Sequence, residues 1–209
     1  MNINKFINGG IDRCVQASFR MIAIAHTGND PGKEEADRLT GYVEGRGTWQ
    51  FRMFLSLAEM GLSIVDHENF DFQGFLTDPE KAIFEQVEDP EAVQGILDET
   101  DIPAEQAAIR SCIESELISF DQSVPSFSDI EQQIEKNRIV MCNVNLRVLE
   151  GRDGREGHML LIKSLHKDFI VAHDPGSNGG LNKKFARAKF EEAWSSPSPE
   201  MANYIAIGN

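Results

Sequence analysis

Basic residues are scarce in this sequence: 20 lysines and arginines stand against 34 aspartates and glutamates, a formal net charge of −14. Phosphate binding needs a positive surface, so neither nucleic acid nor an anionic membrane is an expected partner. Long apolar runs are also missing. No stretch approaches the roughly 20 residues of a membrane span. Met1–Gly10 has no apolar core of the kind a secretory signal carries. Both absences predict a cytoplasmic protein, or one exported by a route that leaves no N-terminal mark. Cysteine is rare and odd in number, with Cys14, Cys112 and Cys142 far apart. No pair has metal-ligand spacing, and without a secretory signal a disulfide framework is not expected. At least one thiol is therefore free unless it pairs between chains. Internal repeats and low-complexity tracts are absent as well.

What is present suits one compact domain over 1–209. A length of 209 residues with 41% hydrophobic content is enough for a single core. The acidic excess is concentrated: Asp66 to Asp121 holds 16 acidic residues against Lys81 and Arg110, and the rest of the chain balances. This segment, about 66–121, reads as an acidic and mostly helical insertion. Its bland reading is a solvated face that aids solubility; its sharper reading is a docking surface for a basic partner.

Apolar periodicity marks a first helix from about Arg13, with Ala17, Met21, Ile24 and Ala25 at helical spacing and Gly28 as its stop. Cys14 falls in the opening turn. A second helix is predicted over Thr48–Met60 and a short strand over Leu62–Val65. Prolines 79, 90 and 103 divide the acidic segment into helices at Glu80–Val87, Pro90–Leu97 and Ala104–Ser115, with a strand at Leu117–Phe120. Ser128-Asp-Ile-Glu131 has the form of a capping box opening a helix to about Lys136. The period then changes. Ile139–Asn145, Met159–Ser164, Phe169–His173 and Tyr204–Ile207 read as strands, with a helix over Arg187–Trp194. Helices first and an antiparallel sheet after them define an α+β class.

The chemistry-bearing residues follow from this layout. A helix N-terminus stabilises an anion, so Cys14 is placed where a thiolate is favoured. His158 opens an apolar strand after Gly157. Asp174 closes the next strand, where Pro175 stops it. If these strands form a hairpin, residues near 158 and 174 lie at the same end of it. A nucleophile, a base and a group to orient that base are what acyl transfer through cysteine requires.

These residues carry a resemblance. Cys14-Val-Gln-Ala-Ser18 leading into a helix, then Ser128–Lys136, Ile139–Asn145, Gly157-His158, Asp174-Pro175 and a late segment ending in Trp194, resemble the papain-like bacteriocin-processing (double-glycine leader) peptidases. The likeness covers about the first 60 and the last 85 residues and leaves the acidic middle unmatched. It implies a papain-like fold, hydrolysis of a peptide or amide, and a triad of Cys14, His158 and Asp174. It also implies an oxyanion-stabilising amide about six residues before the cysteine, a place held here by Asn8, with Gln16 as the alternative. The family usually has an acidic residue before the cysteine and Gly-Pro after it; this chain has Arg13 and Val15-Gln16.

No metal or organic cofactor is implied. Cys112 and Cys142 read as packing. His166 and His173 lack a third soft ligand for a metal. Gly176–Gly180 lacks the context of a phosphate loop and reads as a flexible loop beside the site. Trp49 and Trp194 read as core, either being able to wall a cleft. The leading expectation is a cysteine peptidase or amide hydrolase acting on a peptide or protein substrate. The alternatives are a catalytically silent domain of the same fold that binds a peptide or partner protein, and a transglutaminase-like acyl transferase.

Overall fold

The computed structural model describes residues 2–87 and 89–209. Three helices come first, α1 (Cys14–Thr27), α2 (Lys33–Thr40) and α3 (Phe51–Glu59), followed by strand β1 (Ser63–Glu68). Helices α4 (Phe72–Phe75), α5 (Pro79–Val87), α6 (Pro90–Glu99) and α7 (Ile102–Glu114) lead to β2 (Ile118–Asp121) and α8 (Phe127–Glu135). Then come β3 (Ile139–Asn145), α9 (Leu146–Leu149), β4 (Gly157–Leu165), β5 (Phe169–Asp174), β6 (Gly180–Ala186), α10 (Arg187–Trp194) and β7 (Asn203–Gly208).

All seven strands form one sheet in the order β2-β1-β7-β3-β4-β5-β6. The fold is α+β, but the sheet is mixed rather than antiparallel throughout, because β1 and β2 run parallel. The physical reason lies in the acidic segment. Parallel neighbours need a long crossover, and α4–α7 supply it, so the segment that begins at Asp66 and ends at Asp121 is the connection between the two strands at one edge.

Alternation along the central strands splits the core in two. Ile139, Met141, Met159, Leu161, Ile205 and Ile207 face a layer that includes α1, α3 and α7. Val140, Cys142, Leu160, Ile162, Tyr204 and Ala206 face α8 and α10. Helices thus cover both faces of the sheet. None of the described helices is long and apolar enough to cross a membrane.

Local chemistry accounts for most element ends. Gly28, at φ 78°, bonds through its N–H to Ile24 O and closes α1, a left-handed position that suits glycine. In the acidic crossover, Asp89 and Asp101 accept backbone N–H bonds at the starts of α6 and α7, with proline in each first turn. The capping box lies two residues earlier than expected: Ser126 and Asp129 bond reciprocally, and α8 starts at Phe127. The second predicted helix starts at Phe51, which leaves Thr48–Gln50 as a loop. The short helices α4 and α9, helix α2 and strand β6 have no counterpart in the sequence expectations. Helix α2 buries only Ala36 and Thr40, and β6 is a polar edge strand, so neither carries a readable apolar period.

Candidate active site

Cys14 is the first residue of α1, and the preceding Arg13 makes no side-chain cap bond. The first-turn N–H groups therefore have no cap side chain as partner. Backbone pairing holds this helix start in place: Gly9 N–H donates to Pro175 O at 2.7 Å, and Gly10 bridges Gly176. The segment before the cysteine is thus tied to the loop after Asp174. That loop is pinned at both positions, whatever its glycine content suggested.

Strands β4 and β5 pair antiparallel, Leu161 opposite His173, and bring their ends together. His158 Nε2 lies 2.8 Å from Asp174 Oδ1, and both side chains are about 4% exposed. Asp174 Oδ1 also accepts the Gly176 N–H at 2.9 Å, and its Oδ2 accepts from Lys183 Nζ at 2.6 Å. With Nε2 committed to Asp174, Nδ1 is the ring nitrogen left for Cys14.

The electrostatics are those of an ion pair. Burial alone would push the Cys14 thiol up, but the His158 imidazole and the N–H groups of Met159 and Val15 pull it below its ordinary value. Burial alone would lower His158; Asp174 and Cys14 overcome this and raise it to about 9. Burial likewise opposes ionisation of Asp174, yet His158, Lys183 and the Gly176 N–H hold it well below the usual carboxylate range. Each group favours the charged form of its neighbour.

Cys14 and His158 line one cavity of about 280 Å3, together with Gln50, Asn143 and the Arg46–Thr48 loop. The expected amides do not line it. Asn8 borders a separate cavity beside Arg13. Its Oδ1 accepts the Gly10 N–H at 2.8 Å, and its Nδ2 donates to Ser177 O at 3.4 Å. Gln16 is buried, its Nε2 donating to Thr40 and Thr48 hydroxyls at 2.9 and 3.3 Å. Gln50 is the residue that sequence reading missed: among the described residues its amide has no hydrogen-bond partner, and it faces the cavity of Cys14. A lone glutamine before a helix carries no signal that could have found it.

Arg13, which stands where the resembled family has an acid, points to α2: it pairs with Asp37 at 3.3 Å and lies 4.0 Å over the Tyr42 ring. Cys112 and Cys142 are fully buried, and burial pushes both thiols up, that of Cys112 to about 12 with help from Asp66 and Glu105. His166 bonds Ser164 and stacks on Phe169, while His173 Nδ1 accepts the Asn182 N–H. Among the described residues no group of three or more histidines, cysteines or carboxylates is arranged to hold a metal ion. Trp194 is core and donates to Asn203 O at 2.6 Å; Trp49 walls a cavity next to the cleft.

No model of a known protein family matches this chain, and no curated protein matches it.

Proposed function

We propose that this protein is a cysteine amide hydrolase of the papain-like class, a peptidase in its simplest form, with Cys14 as nucleophile, His158 as general base and acid, and Asp174 orienting the imidazole. One observation carries the reading. A buried histidine–carboxylate pair at 2.8 Å meets a helix-start cysteine whose thiol is pulled down by that same histidine. Structural histidines and packing cysteines have no need of this combination.

The reaction proceeds in two halves. The Cys14 thiolate attacks the substrate carbonyl carbon, and the oxygen takes up the negative charge. The backbone N–H of Cys14 and a side-chain amide oppose that charge. Gln50, free in the cavity, is the better candidate for the amide than Asn8 or Gln16, whose donors are already engaged. His158 then gives its proton to the departing amine, leaving a thioester on Cys14. Water, deprotonated by His158, attacks the thioester and releases the acid and the thiol. Asp174 keeps the ring in the tautomer and orientation both halves need. No step calls for a metal or an organic cofactor.

The test is Cys14→Ala against a peptide library and against iodoacetamide. Loss of both hydrolysis and alkylation, with an unchanged circular dichroism spectrum, is expected. Alkylation that persists in the variant assigns the reactive thiol elsewhere and ends this reading. A wild-type thiol titrating near the free value, about 8.5, would leave a silent domain that binds a peptide or partner protein. Amide product in the presence of a primary amine would indicate acyl transfer.

A further inference from the structure

The cleft does not end at the nucleophile. A second cavity, also of about 280 Å3, adjoins it through residues that line both, among them Gly47, Gln50, Asn143 and Gly157. One wall is aromatic, Trp49 and Phe70, with ring centroids 6.1 Å apart. Ile83 and Val87 of α5 and Ile96 of α6, which like Phe70 belong to the acidic crossover, also line it. The acidic crossover thus lines a pocket that adjoins the one at Cys14.

The charges in this pocket are unbalanced. Glu68, the last residue of β1, lines it. Asp66, two residues back and on the same side of the strand, is fully buried, and among the described residues its carboxyl has no hydrogen-bond partner other than that of Glu68. Burial pushes both groups up, Glu68 to about 7 and Asp66 further still, so Asp66 keeps its proton and shares it with Glu68, with no cation acting on either among the described residues. An ionised carboxyl buried without a cation costs on the order of several kcal/mol of desolvation, which a shared proton avoids and an incoming cation would offset. Arg155 also lines the cavity; partial burial pulls its pKa down, and the charge that acts on it is Asp89, not Glu68. Glu99 is exposed at the rim.

We propose that this cavity is a specificity pocket for a basic side chain, arginine or lysine, of a peptide whose scissile carbonyl lies at Cys14. A guanidinium or ammonium entering it meets the Glu68 carboxylate and stacks against Trp49, whose indole face attracts cations. A cation beside Glu68 favours its charged form, a neutral side chain brings no such gain, and an acidic one opposes it. Cleavage next to that side chain rests on the reading of Cys14 as nucleophile; binding of the side chain does not.

Two measurements keep those claims apart. First, Nα-acetyl-arginine amide and its neutral isostere Nα-acetyl-citrulline amide are titrated into the wild-type protein and followed by tryptophan fluorescence, Trp49 being the indole in the pocket. The arginine compound is expected to bind about tenfold or more tightly than citrulline, an advantage lost in Glu68→Gln. Equal binding of the two by the wild type overturns the proposal without recourse to any variant. Second, peptides carrying arginine or citrulline beside the scissile bond are compared by kcat/KM. Cleavage without preference sinks the pocket and leaves the hydrolase. Selective binding without any cleavage sinks the hydrolase and leaves the pocket.

Discussion

Lys183 gives Asp174 a second charged partner, at 2.6 Å, and also donates to Asn178 O at 3.1 Å. A cation there draws on the same carboxylate that holds the His158 imidazolium, and so weakens that hold. The sign of its removal follows. In Lys183→Met, Asp174 serves His158 alone, and the imidazolium persists to higher pH. Activity needs the thiolate, present above the depressed Cys14 pKa, and the imidazolium, present below the His158 value of about 9. With Cys14 and His158 in the proposed roles, the wild-type pH profile of kcat/KM should be a bell whose alkaline limb falls near 9. Its acid limb should lie below the free-thiol value of about 8.5. Lys183→Met should shift the alkaline limb upward. A merely structural lysine would lower the rate and leave both limbs where they are, which separates a positioning role from a scaffolding one.

Among the elements, the loop between β5 and β6 couples the two halves of the site. Gly176 receives the bridge from Gly10 and sends its N–H to Asp174 Oδ1. A Cβ at this residue would lie 2.9 Å from His158 Cε1 and 3.1 Å from Asp174 Oδ1. The first distance is closer than real Cβ atoms come, and neither ring nor carboxylate is free to yield, since each is fixed by the other. Gly176→Ala should displace His158 from the Cys14 line and lower kcat by about 100-fold. KM and the far-UV circular dichroism spectrum should change little. An unaltered kcat would mean that the ring tolerates the methyl and that its position is not critical.

Over the whole molecule, the acidic crossover is joined to the first helices through aromatic rings. Phe51 of α3 packs against Phe72 of α4 at 5.8 Å and Phe120 of β2 at 6.5 Å, and Trp49 packs on Phe75 at 5.2 Å. Phe51 is fully buried. Truncating such a ring costs about 3–5 kcal/mol, so Phe51→Ala should lower the melting temperature substantially. In the wild type, fluorescence from Trp49 and far-UV circular dichroism should report one coincident transition. Two transitions would mean that the crossover melts by itself and is not part of the common core.

Much of this was legible in the sequence, and particular residues explain how much. Local rules located the start of α1 at Cys14, its glycine stop, the proline-bounded helices of the crossover, β3 over Ile139–Asn145 and α10 over Arg187–Trp194. These depend on capping, φ preference and side-chain period, which act within a few residues. The juxtaposition of His158 and Asp174 was also within reach, because a hairpin is a local object. What acts between distant segments was not legible. The parallel β1–β2 pair, the engagement of Asn8 by Ser177, the place of Gln50 in the cavity of Cys14 and the burial of Asp66 depend on segments tens of residues apart meeting in three dimensions, and Lys183 on Asp174 depends on the register of an unread edge strand. The sequence by itself determined where a cysteine at a helix start, a histidine opening a strand and an aspartate closing the next one stand in the chain. Only the tertiary structure decided what surrounds them, because burial, counter-charge and a free donor are properties of packing and not of any one stretch of chain.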